Sequence, residues 1–86
     1  MLSKQLLRSG TSVGANVRES QNAQSSADFI HKLTIAQKEC DESLYWLELL
    51  RETNYLKIEE FESLHKDGTE ILKIIRSIIL ITKQKL

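Results

Sequence analysis

The sequence predicts an all-α antiparallel helical bundle, built as one domain over residues 1–86 from three long helices. Apolar residues recur at steps of three and four along the whole chain, which is the period of helices and not of strands. Proline is absent and only three glycines occur, so positions that interrupt a helix are scarce. Aromatic residues make up 6% of the chain, a composition that argues against a β-sandwich or barrel.

The first helix is expected over residues 2–20. Leu2, Leu6, Gly10, Val13 and Val17 occupy an arc of about 80° at 100° per residue. Lys4, Arg8, Thr11, Ala15 and Arg18 lie opposite, and Ser9, Ser12 and Asn16 form a small polar row that ends at Glu19. Glycine inside a helix costs about 1 kcal/mol relative to alanine. Gly10 and Gly14 therefore mark a surface that another backbone approaches closely.

A polar tract from Ser20 to Ser26 is the turn, with Ser25 three residues before Asp28 as a capping signal and Ser26 as the alternative N-cap. The second helix is expected over 27–53. Its core face is Phe29, Leu33, Ala36, Cys40, Leu44 and Leu47, with Leu50 beside it. Asn54 can take the left-handed conformation that closes a helix, and Tyr55 and Leu56 form the corner. The third helix is expected over 58–84. Glutamates 59, 60 and 62 sit at its positive end and Lys83 and Lys85 at its negative end, as the helix dipole favours. Phe61, Leu64, Gly68, Ile71, Leu72, Ile75, Ile78 and Ile79 make its main face, which Ile74 and Ile81 widen.

This leaves apolar surface over. Ile35, Trp46 and Leu49 lie on the side of the second helix away from its core face, and Ile74 and Ile81 extend the third. Three helices alone leave such a surface exposed beyond what monomers tolerate. Either a helix is missing or subunits cover one another, and these five residues are the candidate oligomer interface. A core this small has no covalent help, because a lone Cys40 forms no internal disulfide and two histidines with one cysteine do not complete a zinc site.

Twelve basic and twelve acidic residues cancel, which excludes a basic nucleic-acid-binding tail, and 41% apolar residues exclude a disordered chain. The charge is uneven along the sequence. Residues 1–38 carry five basic and two acidic groups, residues 39–62 two and eight, and residues 63–86 five and two. That pattern suggests antiparallel helices that neutralise one another. The stretch 71–81 is apolar but carries Lys73, Arg76 and Ser77, and a membrane span needs ~20 apolar residues. A basic region followed by an apolar export signal is not found at the start. The default reading is a soluble, reduced, cytoplasmic protein with no membrane partner.

No catalytic apparatus is visible, and no cofactor is expected. His31 and His65 lack the spacing of metal ligands, so packing or surface roles are favoured. Cys40 sits among Glu39, Asp41 and Glu42, a poor setting for a nucleophile and a good one for a small core residue. Helical spacing scatters the acidic run around the cylinder. Tyr45 and Trp46 could stack bases, but in an acidic segment they are better read as core or interface. Lys4, Arg8 and Arg18 form the one basic stripe suited to RNA or DNA, and repetition around an oligomer would sum its phosphate contacts. Arg8, Ser12, Asn16 and Glu19, at steps of four, four and three, form a polar ridge. It is read first as a structural network in which Arg8 needs Glu19 or another carboxylate, and second as a ligand contact.

Gln5, Leu6, Arg8, Ser12, Val13, Asn16, Val17, Glu19, Asp28, Phe29, Ala36 and Glu42 follow a pattern that resembles the 23S rRNA intervening-sequence proteins. These bacterial proteins are named for reading frames within insertions of rRNA genes, and the accessory protein of diversity-generating retroelements looks similar. The resemblance implies a left-handed up-down-up-down four-helix bundle that assembles into a homopentameric ring, with no enzyme activity. The three helices here would be the second to fourth of that bundle. The family's first helix would precede Leu2 and is absent, so Met1 is an internal start or the chain is a fragment. The expected function is a non-enzymatic oligomeric scaffold associated with intervening sequences. The alternative is a nucleic-acid-binding accessory module that uses Lys4, Arg8 and Arg18.

Overall fold

The computed structural model describes residues 2–85, with side chains from residue 4; Met1, and the side chain of Leu2 in the expected apolar stripe, lie outside what is described. All the secondary structure is helical: α1 (Leu2–Ser20), α2 (Ser26–Glu52) and α3 (Ile58–Gln84). The expected bounds agree to within one residue. Ser25 is the N-cap of α2, its hydroxyl accepting from the Asp28 N–H at 3.1 Å. Asn54 takes φ 60°, the left-handed value anticipated for it, and the Tyr55 N–H closes back on the Leu50 carbonyl at 2.9 Å. At the start of α3 the Glu60 carboxylate accepts from the Lys57 N–H at 3.0 Å, holding an end that already suits negative charge.

The helices alternate in direction, and α2 is the shared partner. α1 packs along α2 and α3 packs along α2, whereas no Cα of α1 comes within 8 Å of one in α3. The described residues span 45 × 21 × 13 Å. Residues of α1 and α3 line the two sides of one trough with α2 residues between them, so the cross-section is a V with α2 at its apex. Leu33, Ala36, Ile75 and Ile79 are buried between α2 and α3, with Val13, Val17, Phe29 and Ile30 packed against them. Cys40, Leu47, Leu50 and Leu72 extend the buried set.

The apolar face expected for α3 is therefore only half covered. Leu72, Ile75 and Ile79 are buried, but Leu64, Ile71 and Ile78 stay exposed with Ile74 and Ile81. The physical reason is that α3 meets one helix and not two.

Close approach is also achieved by residues other than those expected. Space is open around Gly10 and Gly14. The glycine that admits a neighbour is Gly68, where a Cβ would lie 2.8 Å from the Leu44 side chain and whose carbonyl lies 3.4 Å from Cys40 Sγ. Between α1 and α2 the small residue is Ser9. It is fully buried, and Ser43 Oγ donates to its Oγ at 2.8 Å.

Candidate functional site

A trough runs between the arms of the V. Leu6, Leu7, Gly10 and Thr11 of α1 form one wall, Ser43 and Leu47 of α2 the floor, and Leu64, Asp67, Gly68 and Ile71 of α3 the other wall, around about 440 Å³. The apolar flank continues along α3. Leu64, Ile71, Ile74, Ile78 and Ile81 fall within an arc of roughly 100° at helical pitch. Leu7 is 70%, Ile74 59% and Ile81 51% exposed. Of the five candidate interface residues, Ile74 and Ile81 thus lie on this flank. Ile35, Trp46 and Leu49 are half-buried on α2, and Trp46 is tied down by its own helix, Nε1 donating to Glu42 Oε1 at 3.1 Å.

The proposed polar ridge is not one network. Arg8 turns to α2, where it pairs with Glu42 and lies 3.7 Å from Glu39 Oε2, an oxygen that is buried without a hydrogen-bond donor. Asn16 stays within α1, its Nδ2 donating to the Ser12 carbonyl at 2.9 Å. Glu19 pairs with Lys32 of α2 at 3.2 Å. Arg8 does have the carboxylate partner it requires, but Glu42 and Glu39 supply it, and not Glu19. Side-chain reach across the helix pair decides this, and no spacing within α1 reveals it.

The basic stripe is divided in the same way. Lys4 and Arg18 are exposed at opposite ends of α1, and Arg8 between them is neutralised by two glutamates.

The ion pairs found among the described residues all join neighbouring helices, as the charge pattern suggests: Arg8 with Glu42 and Glu39, Lys32 with Glu19, His65 with Glu48 and Arg76 with Asp41. His65 lies 3.6 Å from Glu48, and Arg51 stacks over the Phe61 ring at 5.1 Å, so the acidic end of α2 runs beside the acidic start of α3. The middle segment folds back on itself at the turn, so its two acid-rich halves belong to the same end of the α2–α3 pair. Residues 39–52 and 58–71 together hold ten acidic and two basic groups, whereas 26–38 and 72–85 hold six basic and one acidic. The helical pair is acidic at one end and basic at the other.

Cys40 is buried. Burial pushes its thiol above the ordinary range, Asp41 adds to the rise, and Arg76 opposes it. That is the reverse of an activated nucleophile. Among the described residues no three histidine, cysteine, aspartate or glutamate side chains group so as to hold a metal ion, and no helix is long and apolar enough to cross a membrane.

Residues 1–77 match the family described as 23S rRNA-intervening sequence protein. A solved structure from Bacteroides thetaiotaomicron VPI-5482, described as a protein with unknown function from the S23 ribosomal protein family, is similar at 59% identity. It superimposes with a TM-score of 0.90 over 92% of this chain and 73% of that one. A search of curated proteins found no match.

Proposed function

The chain belongs to the 23S rRNA-intervening sequence protein family, and on that premise we propose that it is a non-enzymatic scaffold acting as a homo-oligomer. The observation that carries this reading is the uncovered trough. Leu64, Ile71, Ile74, Ile78 and Ile81 are exposed along one flank of α3, and Leu7 of α1 is exposed on the opposite wall. Contiguous apolar surface of this kind marks a protein interface.

On this reading the trough would take the fourth helix of the bundle that the family resemblance implies, and five copies is the assembly that the resemblance implies. Association with rRNA intervening sequences follows the family's description, and a cytoplasmic setting keeps the lone Cys40 reduced. Nucleic acid held by Lys4, Arg8 and Arg18 is the weaker alternative, because two glutamates already engage Arg8.

The two glycines of α1 supply the test. Gly10 lines the trough, and nothing within the chain approaches it. If a covering helix comes close there, Gly10→Leu should overpack the contact and cost about 1–3 kcal/mol. The loss would be read as a lower Tm together with a smaller mass by light scattering. A bare trough gives the opposite sign, because leucine then gains up to ~1 kcal/mol of helix propensity. A rise in Tm at unchanged mass would overturn the reading.

A further inference from the structure

The basic end of the α2–α3 pair carries a surface that the α1 stripe does not describe. Lys73, Arg76 and Lys83 are exposed on α3 and share an arc of roughly 80° at helical pitch, on the side of the helix away from the trough. Arg76 reaches α2 and pairs with Asp41 at 3.5 Å. This contact fixes which side of α2 the basic flank adjoins. Exposed Lys38 lies one turn before Asp41 on that side, and exposed Thr34 and His31 follow it toward the basic end. Lys38, Lys73 and Lys83 form none of the ion pairs found among the described residues.

We propose that Lys38, Lys73 and Lys83, with Arg76 held beside them by Asp41, form a binding surface for the phosphodiester backbone of nucleic acid. Lysine is depleted from protein–protein interfaces, and aromatic residues are enriched in them. This patch holds three lysines and no aromatic ring, which favours phosphate over a protein partner. Cations spread along one helix flank match a charged strand that makes several contacts of equal chemistry, and such contacts place a backbone without reading its sequence. The surface goes beyond the scaffold reading and does not depend on it, since all four cations belong to one chain and lie away from the trough.

The test is an anisotropy titration of labelled single-stranded RNA, duplex RNA and duplex DNA between 50 and 200 mM KCl, using the full chain. Binding is expected at the low salt and should weaken as salt rises. Lys73→Gln with Lys83→Gln should lower affinity about tenfold or more at low salt and reduce the salt slope by about two. Lys4→Gln should leave binding within about twofold, because Lys4 lies outside the patch. Both lysines of the double variant are exposed, so its Tm should equal the parent's.

Preference among the three nucleic acids identifies the strand form that is held. Failure to bind any of them at 50 mM would overturn the proposal, as would an equal loss on Lys4→Gln. So would stronger uptake by phosphatidylserine-containing vesicles, or equal competition by polyglutamate. None of these results alters the mass of the assembly, so failure here and failure of the scaffold reading are told apart.

Discussion

Ile75→Ala is expected to cost about 2–5 kcal/mol, a large part of the stability of a domain this small. Ile75 is buried against Leu33, Ala36 and Ile79, and no polar group lies among those four residues to admit water. Truncation forfeits the transfer energy of the deleted methyl groups and leaves a cavity between two long helices that are held in register elsewhere. Chemical denaturation should show a lower midpoint at unchanged slope. Ile74→Ala is the control, since its residue is one position away and 59% exposed. Its cost should be small at the level of the single chain, and any cost it has should depend on protein concentration. Equal, concentration-independent losses at the two positions would mean that α3 buries a different face.

Ser9→Leu should also destabilise, by about 1–3 kcal/mol. Ser9 has no exposed surface, and its hydroxyl donates to the Leu6 carbonyl at 3.2 Å while accepting from Ser43. A leucine there must push α1 off α2, and the Arg8–Glu42 pair one position along would open with it. Ser9→Ala separates volume from polarity. It removes the bond to the Leu6 carbonyl and the one from Ser43, each worth about 1 kcal/mol, and leaves Ser43 with the Glu39 carbonyl at 2.9 Å. Melting curves in which leucine is tolerated as well as alanine would show that α1 and α2 are not in close contact at this point.

The helices and their ends were legible because each signal is local. The capping hydroxyl of Ser25, the left-handed Asn54 and the acidic start of α3 act within a few residues. Pairing across helices was not legible in the same way. The glycine signal was real but pointed to Gly10 and Gly14, when the glycine with a neighbour inside the chain is Gly68, opposite Leu44. Ser9 stood in the small polar row, yet nothing in α1 separates it from Ser12, which is only half-buried. Of the carboxylates open to Arg8, Glu19 or another, those that engage it are Glu42 and Glu39 of α2.

The charge pattern was legible in part: opposite charges do pair across the helices, but the polarity of the α2–α3 pair also depends on where the turn falls. The acidic middle segment contains the α2–α3 turn, so folding brings its own two halves together and leaves the two basic segments beside each other. Noting that residues 39–62 must double back on themselves would have revealed this polarity. The α3 basic flank is likewise legible in the helical spacing of Lys73, Arg76 and Lys83.

Sedimentation equilibrium of the unmodified chain at micromolar concentration tests the oligomeric scaffold most directly. The expected result is a folded species whose mass is a multiple of 9.9 kDa, with helical circular dichroism retained at the same concentration. A stable, cooperatively folded species at 9.9 kDa, unchanged across a tenfold range of concentration, would contradict it.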